Sequence, residues 1–261
     1  MKKTQKELAF LRDLYVAPDW TERFTGIFDE NFKFTDEKSI LYVNAGTGNH
    51  AVELSRKLKH DAQLKGLTEN ADLNTIAQAK ADIVRTRVNF YNEFPRQTFD
   101  AVLADASLVE PKNLPEFLED VIAASDSQVA FFLPTAGSFG EIFSFLWEAF
   151  FALEMHDKAA EVERLILEIP TVSKLEEIAA EFDLTKIETV TKTEFFEFAN
   201  GAEFTDSPLV NDFLLPVRLD FLSEKEKKQV RKKLAQVIDA DEGAPTFRFS
   251  IKATLIVGEK K

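Results

Sequence analysis

Residues 40–50 read ILYVNAGTGNH. Ile40, Leu41, Tyr42 and Val43 make a short apolar run, the segment Asn44-Ala45-Gly46-Thr47-Gly48 breaks it, and a helical pattern begins near Asn49. A buried strand, a glycine turn and a helix start, in that order, suit a nucleotide-type cofactor. Glycine lets the backbone approach a ligand, and a helix N-terminus offers free N–H groups. The turn has two glycines where the full dinucleotide fingerprint has three, so an ordinary strand–turn–helix joint fits the spacing equally well.

Downstream, strands and helices alternate. Residues 51–58 read as helix, 63–67 as a second strand, 72–85 as helix, 87–92 as a third strand and 99–104 (FDAVLA) as an apolar fourth strand. Residues 113–124 follow as a helix with Pro115 in its first turn, and 128–133 (QVAFFL) as a fifth strand closed by Pro134. This alternation predicts right-handed crossovers and a parallel sheet covered on both faces. Upstream, Leu8, Leu11, Leu14 and then Trp20, Phe24, Ile27 and Phe28 fall at helical spacing, which predicts a helical cap over residues 1–36. Residues 137–168 form an apolar helical insertion. Ser173 and Glu176 have the spacing of a capping box for a helix to Phe182, and 184–193 read as a sixth strand. A second insertion spans 194–240, with a charged helix at 224–238, before a last strand at 246–257. With no helix after it, that strand can insert antiparallel beside the sixth.

Composition narrows the function classes. The chain has 261 residues and 25 Phe against 3 Tyr and 2 Trp, so most aromatic rings carry no polar handle and belong in a core or a greasy pocket. A net charge of −13 argues against nucleic acid and against an anionic membrane surface. The absence of cysteine excludes disulfides, thiolate metal sites and cysteine nucleophiles. No apolar run long enough for a signal peptide or membrane span is visible, and the expected location is the cytoplasm.

The plan resembles that of the class I S-adenosylmethionine-dependent methyltransferases, in the branch with small-molecule substrates. ILYVNAGTGNHAVELSRKL (residues 40–58) looks like that family's first motif, a strand ending in an acid followed by G-x-G-x-G and a helix. FDAVLADASLV (99–109) looks like its fourth-strand motif, LEEIAAEFDLTKIETVT (175–191) its late helix and sixth strand, and FRFSIKATLIVGEKK (247–261) its closing strand. The resemblance runs from about residue 20 to the end of the sequence. It implies a single domain over residues 1–261 of α/β class: a seven-stranded Rossmann-like sheet, mostly parallel with an antiparallel last strand and helices on both faces. Residue by residue the match is altered. Gly46 and Gly48 match the second and third motif glycines, while Asn44 stands at the first and Tyr42 at the acid. Thr68 then Glu69 follow the second strand where a ribose-binding acid is usual. Asn92-Glu93 fill the adenine region, and Ala104-Asp105 end the fourth strand. The implied cofactor site is therefore Tyr42, Asn44, Ala45, Gly46, Thr47, Gly48, Thr68, Glu69, Asn92, Glu93 and Ala104.

For chemistry, Asp105 lies at the carboxyl end of a central strand, where open α/β sheets bind ligands, although capping the next turn explains it equally well. His156, beside Asp157 in the first insertion, is a candidate general base, with an exposed helix-end histidine as the plainer reading. His50, in the first turn after the glycines, is in reach of a ligand, with capping or a surface position as the plainer reading, and no metal-ligand spacing occurs. Phe139, Phe143, Trp147 and Phe151 form an i, i+4 row, which suits core packing, a lid over an apolar substrate, or a homodimer face. The basic run at 225–233 reads as a solvated helix face. The expected function is methyl transfer from S-adenosylmethionine to a small, partly apolar molecule. A non-catalytic methyltransferase-like binding or scaffolding protein is the alternative, and a nicotinamide-dependent oxidoreductase the third reading.

Overall fold

The computed structural model describes residues 3–241 and 245–261. The chain divides into two compact units. The first comprises the chain up to Leu133, Val172–Thr191 and Ala253–Lys261; the second comprises Pro134–Thr171 and Lys192–Lys252.

In the first unit the amino-terminal cap comes first. Helix α1 (Gln5–Leu11) is closed by a capping box between Thr4 and Glu7. The winding then widens into π-type turns over Arg12–Thr21 and tightens again into α2 (Glu22–Asn31). Pro18 lies inside the widened stretch, where its missing N–H and its ring disfavour the regular α ladder. Trp20, Phe24 and Phe28 are buried. The Trp20 indole N–H donates to Ser107 Oγ at 2.9 Å, and Phe24 stacks on Phe132. The cap is thus fastened over the carboxyl ends of central strands by a hydrogen bond and a ring contact.

Strand β1 (Ser39–Val43) is followed by α3 (Asn49–Lys57), β2 (Gln63–Leu67), α4 (Ala71–Ile83), β3 (Asn89–Tyr91), β4 (Phe99–Asp105), α5 (Leu114–Ala123) and β5 (Ser125–Thr135). Within the sheet β1 lies between β2 and β4, parallel to both, with β3 beyond β2 and β5 beyond β4. Ile40, Leu41, Tyr42 and Val43 are all buried, so both faces of β1 are covered. Leu41 and Val43 join a core with Leu118 and Val121 of α5 and Leu175 and Ile178 of a later helix, α8. The seven strands run in the order β3-β2-β1-β4-β5-β7-β6, with β7 (Phe247–Lys260) between β5 and β6 (Leu184–Phe198) and antiparallel to them. The hydroxyls of Thr191 and Thr254 meet at 2.8 Å, and Thr185 donates to the Glu259 carbonyl.

The second unit carries α6 (Gly140–Ala152) and α7 (His156–Glu168), where one helical insertion is expected. The break falls at Leu153–Met155, with Glu154 in the left-handed region at φ 58°. Phe139 and Phe143 are buried, whereas Trp147 and Phe151 are exposed. The unit also holds α9 (Gly201–Asp206), α10 (Leu215–Arg218) and the amphipathic α11 (Glu224–Asp239), which buries Val230, Leu234 and Ile238 and leaves its lysines outward. Strand β6 continues to Phe198, five residues past its predicted end, because Phe196 and Phe198 stack on Phe249 of β7. Two other local readings change. Pro134 lies inside β5, past the last pair with β4 (Asp105 with Phe132), where its missing N–H removes nothing from that ladder. Helix α8 (Val172–Glu181) begins before Ser173, so that serine is a first-turn residue and the expected capping box does not form.

Candidate functional site

Strand register brings the site together. Val43 pairs with Leu67 on one side and Ala104 on the other, so the next residues, Asn44, Thr68 and Asp105, lie side by side along one edge of the sheet. The chain order reverses between β1 and β4, which makes this edge the switch point where open α/β sheets take ligands.

The turn keeps its shape without its first glycine. Asn44 adopts φ 55°, a conformation asparagine tolerates better than most residues, and its side-chain amide donates to the Asp105 carbonyl at 3.1 Å. Gly46 and Gly48 follow at φ 57° and 81°. A Cβ on Gly48 would lie 2.8 Å from both Ala77 Cβ and Phe90 Cζ, so this glycine lets α4 and β3 close against the turn.

Beside the turn is a cavity of about 300 Å³ lined by Tyr42, Ala45 to His50, Asp105 and residues of the cap. Its polar wall is a relay. The Tyr42 hydroxyl lies 3.1 Å from His50 Nδ1, and His50 Nε2 lies 3.2 Å from Asp29 Oδ1. The His50 hydrogen bond, helped by Lys57, holds Asp29 down at about 2, so its carboxylate only accepts. With Nε2 donating to Asp29, the neutral imidazole accepts at Nδ1 from the Tyr42 hydroxyl. Burial first, and then the Asp105 charge, push the phenol well above its ordinary range, so Tyr42 keeps its proton. With that proton committed to His50, the phenol oxygen is left as an acceptor at the position where the family pattern has an acid.

Asp105 is 4% exposed, and burial pushes its carboxyl up to about 6, against the lowering effects of Ser107 and the Arg12 charge. Its Oδ1 accepts the Ser107 N–H at 2.8 Å. A carboxyl in that range can hold or release a proton near neutral pH. The acids Glu22, Asp29, Glu53 and Asp105 line the cavity against one guanidinium, Arg12, so its field favours a cationic group.

The other flank of the turn is closed. The Arg12 guanidinium lies over Gly46, 3.4 Å from where a Cβ would be, and pairs with Glu69 at 2.5 Å; the two side chains are 12% and 24% exposed. One residue on, Asp13 pairs with Lys80, which also reaches Thr47 and Asn49. Thr68 turns its hydroxyl inward to the carbonyls of Tyr91 and Asn70, at 3.1 and 3.2 Å. Asn92 and Glu93 lie on the exposed loop after β3, Glu93 lining a separate recess, and Ala104 is buried in β4. His156 is exposed at the start of α7 against Phe151 and does not line the cavity. Arg12, Asp29 and His50 are the site residues that sequence reading did not select. The one signal for His50 is its place in the first turn after the glycines, at a site whose usual acid is missing.

No family model matches the chain, and no curated protein sequence matches it. Solved structures do. The YcgJ protein of Bacillus subtilis superposes with a TM-score of 0.58 at 13% identity, over 92% of this chain and 99% of that one. Phosphoethanolamine N-methyltransferase 2 of Haemonchus contortus, solved with phosphomonomethylethanolamine and S-adenosylhomocysteine, gives 0.53 at 13% identity, over 98% of this chain and 57% of that one. SpnF, named a [4+2]-cyclase, gives 0.51 at 15% identity, over 93% and 82%. The shared feature is the seven-stranded Rossmann-like methyltransferase fold. SpnF's name shows that this fold does not by itself fix the reaction.

Proposed function

We propose that the chain binds S-adenosylmethionine at the glycine turn and transfers its methyl group to a small, partly apolar molecule. The observation that carries this reading is the acid-lined cavity against the Gly46–Gly48 turn, at the switch point of a methyltransferase-type sheet. The residues fit the group. The turn backbone and the start of α3 would face its amino-acid end, with the Tyr42 oxygen and Asp105 accepting from its ammonium. Glu69 would accept from the ribose and Asn92 or Glu93 from the adenine. Bound there, the cofactor supplies an electrophilic methyl on a sulfonium. The protein positions the acceptor, excludes water and surrounds positive charge with carboxylates. Asp105 is the proton acceptor: Ser107 holds its carboxyl in place, and a carboxyl at about 6 can take a proton from an acceptor hydroxyl or amine.

A second reading has a specific observation behind it. Arg12 paired with Glu69, and Thr68 turned inward, close the ribose flank, as a binding protein with a degenerate cofactor site would. Calorimetric titration separates the two. Saturable heat with S-adenosylmethionine at sub-millimolar concentration supports the enzyme, and no heat at about 5 mM rejects it.

A further inference from the structure

We propose that Arg12 recognises the carboxylate at the amino-acid end of the cofactor, and that it does so by leaving Glu69, so that binding exchanges one ion pair for two ligand contacts. The proposal rests on the cofactor reading above and adds how the site selects its ligand. Arg12 is the single guanidinium lining a cavity with four carboxylates, so a ligand carboxylate entering there has one cationic partner. That guanidinium lies directly over Gly46, at the turn the amino-acid end would face. Its resting partner, Glu69, is the acid beside the altered ribose position. The neighbouring Asp13–Lys80 pair holds the same stretch of the cap to α4 and to the turn, so Arg12 can swing while its backbone stays anchored.

Arg12 and Glu69 therefore each satisfy the other while the site is free of ligand, and the opposite ends of one ligand call on both. A ligand with carboxylate and ribose replaces the pair with two charge-assisted contacts. A ligand with only the ribose takes Glu69 and leaves a largely buried guanidinium without its direct ion-pair partner. The site then discriminates by the amino-acid end.

The test is calorimetric binding of S-adenosylhomocysteine and of methylthioadenosine, which keeps the nucleoside thioether and lacks the amino acid, to wild type and to Arg12→Gln. The variant keeps the side-chain stem and removes the charge. Expected is a crossing: S-adenosylhomocysteine weakens about tenfold or more and methylthioadenosine tightens severalfold. In Glu69→Gln the resting pair and the charged ribose contact are lost together while Arg12 stays, and S-adenosylhomocysteine weakens less than in Arg12→Gln. If Arg12→Gln shifts both ligands by the same factor, or shifts neither, Arg12 is structural and the exchange is wrong while cofactor binding stands. If wild type binds neither ligand at millimolar concentration, the cofactor reading fails and takes the exchange with it.

Discussion

The two flanks of the glycine turn start from equivalent strand ends and finish differently. On the β4 flank, Tyr42, His50, Asp29 and Asp105 surround an open cavity and leave acceptor atoms facing it. On the β2 flank, Glu69 is paired to Arg12 and the Thr68 hydroxyl is spent on backbone carbonyls. The residues that differ from the family pattern fall on both flanks. Their settings are opposite: the Tyr42 hydroxyl is bonded to His50 at the wall of the cavity, and the Thr68 hydroxyl is bonded to backbone carbonyls. Replacement of a binding residue is therefore no measure of lost function until its partners are known.

Changes at the turn test both flanks together and carry the largest expected effect. Gly46→Val should weaken S-adenosylmethionine about a hundredfold or more, since its side chain would take space beside Arg12 that ligand and guanidinium need. The sequence alone suggests that the fold would tolerate this change. The φ of 57° adds a strain of about 1–3 kcal/mol, visible as a lower melting temperature. A variant that binds normally would place the ligand elsewhere.

Asp105→Asn sharpens the account of the open flank. The folded carboxyl titrates at about 6 and the unfolded one near its ordinary value of 3.8. Between those values the folded state binds more protons, so stability falls as pH rises, by up to about 3 kcal/mol in all, and stays reduced above pH 6. Asparagine should restore that stability at pH 8 and change little below pH 4, measured by urea denaturation across pH. The same variant should lose methyl transfer and bind the cofactor severalfold more weakly, because Asp105 also accepts from its ammonium. Equal pH dependence in variant and wild type would mean that Asp105 is not buried as an acid.

His50→Phe removes the relay. Tyr42 then loses its hydrogen-bond acceptor and its hydroxyl is free to rotate, so affinity should fall about tenfold with stability down by about 1–2 kcal/mol. Unchanged affinity would show that the phenol oxygen does not stand in for the missing acid. The smallest effect belongs to the closed flank. Thr68→Val should leave cofactor affinity unchanged, because the hydroxyl faces backbone, and lower stability by about 1 kcal/mol. A large loss of affinity there would break the contrast.

The same contrast explains what could be read in advance. Strands, the turn and most helices were legible because they depend on local periodicity, and residues 40–50 located the cavity. Two of the local misses have a partner distant in sequence: Phe249 extends β6, and the end of the β4 ladder makes room for Pro134 in β5. The chemistry of the site is less legible for the same reason. Arg12 meets Glu69 57 positions away, and Asp29 meets His50 21 positions away, and no spacing rule links either pair. Asp105 was visible because a strand end is a local feature, while its raised pKa comes from burial that only the packed fold supplies.

The most direct test of the account is a crystal structure grown with S-adenosylhomocysteine. The account predicts ligand density against Gly46–Gly48, the Tyr42 oxygen and Asp105 within hydrogen-bond distance of the ammonium, and Arg12 moved from Glu69 to the carboxylate. A structure that retains the Arg12–Glu69 pair, with no ligand beside the turn at saturating concentration, would contradict it.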